Sequence, residues 1–254
     1  MKKGGIFLFL FWNIIAVGLL ANNNDTDKLF KNYFFTNDME SWELLVDSIT
    51  ASNPGTIDEK IELLYGHYGL VAGLIGNDQK GKAMEKLEIF DDTIEQFLDD
   101  YPDNGVLYAF KAASVAFRIV LQPIRAPFLS SSHLKYVEKA IDLCGEKGLP
   151  LTERANSYYF RPNLFGGDKS EAVEAYRKAF YYYKENAPDH WMYYNTGAWY
   201  GNSLVSVGEK EAAAEIYKML LKEEPTFEWV RDELIPALDD GSVINFFDSK
   251  DFTH

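Results

Sequence analysis

The chain has 254 residues, 25 Lys and Arg against 39 Asp and Glu, one cysteine, and 47 % hydrophobic content. That composition excludes a chain disordered over its length and supplies enough apolar surface for one large domain or two small ones. The net charge of −14 leaves no overall electrostatic footprint for nucleic acid or anionic lipid, and the lone Cys144 excludes an intramolecular disulfide or a cysteine-built zinc site.

Lys2 and Lys3 precede an apolar run from Ile6 to Ala21, followed by Asn22, Asn23, Asn24 and Asp25. Charged start, short greasy segment and polar exit are the order of a secretory signal, so residues 1–21 are expected to direct export to the periplasm or the outside. The run is shorter than the roughly 20 residues of a spanning helix, and Ala21 is the best last residue of the signal. An uncleaved anchor is the alternative, because Leu19 is large for its place. Residues 22–37 read as a polar linker, and Asn24-Asp25-Thr26 matches a glycosylation acceptor. No later stretch is long enough to cross a membrane once the signal is removed.

From residue 38 to 240 helical periodicities follow one another. Trp42, Leu45, Val46 and Ile49 form the first, closed by Asn53-Pro54-Gly55. Helices are expected over 57–75, over 83–98, and over 106–121, the last apolar all round and therefore buried. Pro123 and Pro127 break the pattern. It resumes over 133–144, 154–160, 170–185, 193–207, 211–223 and 228–238, leaving residues 241–254 as a tail. Alternating strand patterns with hairpin turns are nearly absent. The expected fold class is all-α.

The pattern repeats at an offset of 41 residues. GDKSEAVEAYRKAF from Gly167 lies over GEKEAAAEIYKMLL from Gly208, with Gly, Lys, Ala, Glu and Tyr coincident; upstream, Tyr159 falls on Tyr200. The excess over a 34-residue unit is about two helical turns, assigned to Phe180-Tyr181-Tyr182-Tyr183. Residues 194–227 resemble a tetratricopeptide repeat: Gly201 at the small position, Gly208 in the turn, Ala213 as the small contact, Tyr217 as the aromatic knob and Pro225 at the close. Residues 153–187 are similar, with Gly167, Ala172, Tyr176 and Ala179, but place Phe160 at the small position and Pro162 inside the first helix. With Ala126–Phe128, Asn156–Ala172 and Glu224–Leu234, the chain also resembles exported bacterial tetratricopeptide-like proteins, including relatives of the T component of TRAP-type transporters. The resemblance implies a right-handed superhelical solenoid of antiparallel helix pairs, capped by residues 228–238 with Trp229, Leu234 and Leu238 inward. Asp168 and Glu171 are spaced as a capping pair, after a left-handed stop at Gly166-Gly167.

His67, His133, His190 and His254 show no metal-ligand spacing, and no nucleophile elbow or phosphate loop occurs, so no catalytic residue, metal or cofactor is assigned. Asp91-Asp92, Asp99-Asp100 and Asp239-Asp240 read as solvating charge. Between Tyr158 and Tyr200 there are fourteen aromatic residues in forty-three, too many for knob positions alone; Tyr182, Trp191 and Tyr193 are candidates to line a groove. Equivalent positions of the two best units carry Arg154 and Arg161 in one, Asn195 and Asn202 in the other. Seven-residue spacing puts each pair on one helical face, and together with Tyr159 and Tyr200 they form the candidate binding set on the concave side. The expected function is a non-catalytic, exported scaffold for a protein or peptide, including a carboxylate-bearing one. The alternatives are a ligand-handling accessory of a TRAP-type transport system, binding a small molecule, and a helical hydrolase.

Overall fold

A computed structural model describes residues 23–240, and the expected signal (1–21) and tail (241–254) lie outside the described residues. Among the described residues there are eleven α-helices, three short helical turns and no strand. They are α1 (Asn23–Phe35), α2 (Met39–Ala51), α3 (Ile57–Gly76), α4 (Lys80–Asp100), α5 (Gly105–Leu121), α6 (Ala126–Cys144), α7 (Gly148–Phe160), α8 (Lys169–Asn186), α9 (Trp191–Ser206), α10 (Lys210–Glu223) and α11 (Ile235–Asp240). Each helix packs on the next from α1 to α10.

The starts carry local chemistry. Thr56 and Glu59 close a reciprocal cap on α3, while Asp38 and Asn104 accept from the first amides of α2 and α5. Asp168 accepts from Ser170 and Glu171 at α8, a one-sided cap in which Glu171 contributes its backbone. Gly166 takes φ +88°, the left-handed conformation expected of it.

Residues 22–37, expected as a linker, are instead largely helix α1, whose Phe30 and Phe35 are fully buried. Pro127 opens α6 rather than breaking it, because the first helical turn needs no amide donor there. Pro162 lies beyond the end of α7, not inside it. α8 exceeds α10 by four residues, 18 against 14, so its extension is one turn rather than two. The final segment begins as a π-helix, Trp229–Leu234, before α11; Val230 and Leu234 are buried, and Trp229 and Leu238 are half-buried.

The two ends of the bundle meet. Trp42 of α2 stands edge-on to Trp191 of α9 at 5.2 Å, and Phe34 of α1 lies 5.2 Å from Phe227. Trp191 and Tyr193, candidates for a groove, are therefore core residues at 1 % exposure. No single helix among the described residues is long and apolar enough to cross a membrane.

Candidate functional site

The six residues chosen from the sequence occupy three settings. Tyr159, Asn195 and Asn202 are buried; Asn202 donates from Nδ2 to the Tyr159 hydroxyl at 3.0 Å, and Asn195 lies 3.8 Å from the sulfur of Met192. Tyr200 is half-buried with its ring 6.0 Å from Phe180. Arg161 donates to the carbonyl of Gly166 at 3.0 Å and holds the α7–α8 loop closed. Arg154 donates to Glu146 at 2.5 Å. The structure thus brings Tyr159 and Asn202 together, and sets the two arginines apart from the asparagines.

Arg154 has a second neighbourhood. Glu146, in the α6–α7 turn, also receives Lys178 of α8 at 3.2 Å. Lys178 lines an open depression of about 500 Å³ with Arg177, Tyr181, Tyr182 and Glu185. The two cations hold the Glu146 carboxyl below the usual glutamate range. Two cations beside two tyrosines suit a carboxylate on a rigid support, although Arg177 is already forked onto Glu174 at 2.8 and 2.7 Å, which leaves Lys178 and its neighbour Arg154 as the exchangeable donors.

A second cluster was not legible in the sequence. Asp27 of α1, Glu62 of α3 and His190 at the start of α9 converge, with ligand-capable atoms within 4.8 Å of one another. Asp27 Oδ1, Glu62 Oε1 and His190 Nε2 are each buried without a hydrogen-bond partner. Burial, reinforced by the charge of Asp27, pushes the Glu62 carboxyl up to about 8, and burial raises Asp27 as well. The donor set is one a divalent metal takes, but the ring's state does not fit. His190 Nδ1 accepts the Met192 amide at 3.1 Å, capping α9, so the proton of the neutral imidazole sits on Nε2 and faces Asp27 Oδ1 at 3.9 Å. A ligating imidazole presents a lone pair at that nitrogen and donates from the other. The arrangement is a buried carboxyl pair beside an imidazole, drawn together from α1, α3 and the start of α9.

Glu153 of α7 is the third buried acid. At 1 % exposure it accepts from Tyr68 at 3.1 Å and Asn156 at 2.9 Å, and Asn156 accepts in turn from Tyr176 at 2.5 Å. Burial pushes its carboxyl up to about 8 despite these donors. With no path to solvent, the chain Tyr68–Glu153–Asn156–Tyr176 ties α3, α7 and α8 together. His67 and His133 are likewise packed in the core, His133 against the Ala112 carbonyl at 2.9 Å. Burial raises the Cys144 thiol, away from a reactive thiolate.

No family model matches the chain, and no curated protein or solved structure matches it.

Proposed function

We propose that this chain is a non-catalytic, exported helical-repeat scaffold that binds a carboxylate-bearing protein or peptide. The observation that carries the reading is the depression on α8, where Arg177 and Lys178 stand beside Tyr181, Tyr182 and Glu185, with Arg154 of α7 held by the same Glu146 that takes Lys178. Glu146 holds Arg154 and Lys178 there as an internal stand-in, and a partner's carboxylate competes with it for the same donors. Consecutive helix packing supports the reading, since it fixes these side chains on two rigid elements rather than on a mobile loop. Buried Asn202 and Tyr159 serve by joining α9 to α7.

Affinity capture from the native host, run in parallel with the parent and with Arg154→Ala/Tyr182→Ala, tests this. The parent should retain a polypeptide that the double variant loses, and its retention should weaken with salt because the depression is open to solvent. The same polypeptides held equally by both chains would overturn the assignment.

A further inference from the structure

The net charge of −14 conceals a local reversal. Residues 104–137 and 154–167 contain no Asp or Glu, although the chain carries 39. The fold puts parts of both stretches at one edge. α5 packs against α7, and the loops 122–125 and 161–168 follow the C-terminal ends of these two helices. The charge of Arg161, just after α7, also reaches His133, two turns into α6.

At this edge four large apolar side chains project into water: Ile124 at 87 % exposure, Phe128 at 81 %, Leu164 at 90 % and Phe165 at 68 %. Their exposure is built, not slack. Pro123 and Pro127 fix the first loop, and the chain turns through 120° between α5 and α6. In the second loop Phe165, Gly166 and Gly167 donate to Pro162, Asn163 and Pro162, and Arg161 clamps the Gly166 carbonyl. A side chain at Gly167 would strike the backbone of Arg161, so the loop has little room to fold its apolar residues back. Arg125 and Lys135 are exposed beside them. The acid at the rim, Asp168, has its carboxylate on the amides of Ser170 and Glu171.

We infer that this edge, Ile124, Phe128, Leu164 and Phe165 with Arg125 and Lys135, docks on an anionic lipid surface. Apolar side chains projecting from loop tips require a partner that deforms around them. A bilayer interface does so without a pre-shaped pocket, while its acidic headgroups meet the flanking cations. An acidic polypeptide satisfies the cations and leaves the four projections without a matching recess. The inference is independent of the peptide-binding proposal, which concerns the α6–α7 turn and the outer face of α8.

The test follows the edge itself, in the full chain, so that the N-terminal apolar segment does not confound it. Cys144→Ser leaves no native thiol, and an environment-sensitive fluorophore is placed through Asn163→Cys or, as a control at the opposite edge, Ser52→Cys. With vesicles of phosphatidylglycerol and phosphatidylcholine, the label at 163 should shift to the blue and be quenched by a lipid-borne quencher. The label at 52 should do neither. Ile124→Ser/Phe128→Ser/Leu164→Ser should weaken the response at 163 at least tenfold in lipid concentration with unchanged helicity, since all three are exposed. Arg125→Gln/Lys135→Gln should weaken it several-fold, as should neutral vesicles. A label at 163 indifferent to vesicles overturns the inference, as does an undiminished response in the serine variant. A response to polyglutamate but not to vesicles overturns it in favour of an acidic polypeptide.

Discussion

The ring of Tyr217 occupies the space left by the missing side chain of Gly201. A Cβ built there would lie 2.7 Å from Tyr217 Cζ, closer than real Cβ contacts come. Tyr217 is fully buried, so the ring has nowhere to retreat. Gly201→Ala should therefore destabilise the chain by about 1–3 kcal/mol, the range for overpacking a core, and Gly201→Leu by more. Tyr217→Leu should restore part of the loss in the alanine background. Thermal melts of the four chains check this; additive effects would place the two residues out of contact.

The small position at Gly201 and the aromatic knob at Tyr217 were each legible through the tetratricopeptide resemblance, while their contact with one another came only with the fold. Helix α1 was hidden by its own composition: Asn23, Asn24, Asp25, Asp27, Lys28, Lys31 and Asn32 read as linker, although Phe30 and Phe34 already have helical spacing. The groove assigned to Trp191 and Tyr193 failed because Phe34 of α1 and Trp42 of α2 cover Trp191, while Phe180 of α8 stacks on Tyr193. Asp27, Glu62 and His190 lie far apart along the chain, and only tertiary packing brings them within reach.

Phe30→Ala tests whether α1 belongs to the folded unit. Phe30 is fully buried, and its ring centroid is 4.7 Å from that of Trp42. Loss of the ring should cost about 3–5 kcal/mol, whereas a substitution in a linker costs almost nothing. A denaturant midpoint equal to the parent's would remove α1 from the core.

Arg161→Ala should act on the α7–α8 loop more than on the core. The guanidinium bond to Gly166 is solvent-accessible, and hydrogen bonds of this kind contribute about 0.5–1.5 kcal/mol. The melting temperature should fall slightly. Cleavage within residues 162–167 by a protease at native conditions should accelerate several-fold, because the loop opens without global unfolding. Arg161→Lys should recover part of the protection. A cleavage rate matching the parent's would mean that the proline and glycines alone hold the loop.

Glu153 sets the sign of the alkaline side of the stability profile. Folded, it keeps its proton up to about pH 8; unfolded, it releases it near 4.5. The folded chain binds more protons between those values, so stability falls as pH rises through the window. Glu62, also raised to about 8, acts in the same direction. His67 and His190, lowered by burial to about 4 from 6.5, do the opposite: their contribution is lost as pH falls from 6.5 toward 4. The two sets oppose one another between 4.5 and 6.5, and between 6.5 and 8 the glutamates act alone. The unfolding free energy should therefore decline from pH 6.5 to 8, at up to about 1.4 kcal/mol per pH unit for each glutamate, and the melting temperature with it. Glu153→Gln keeps an acceptor for Tyr68 and Asn156 but carries no titrating proton. It should remove about half of that decline, leaving the Glu62 contribution, while changing the profile little below pH 4.5. A decline as steep in the variant as in the parent would show that Glu153 stays ionised in the folded chain, as it is in the unfolded one, and that the Tyr68–Glu153–Asn156 chain is built on an anion.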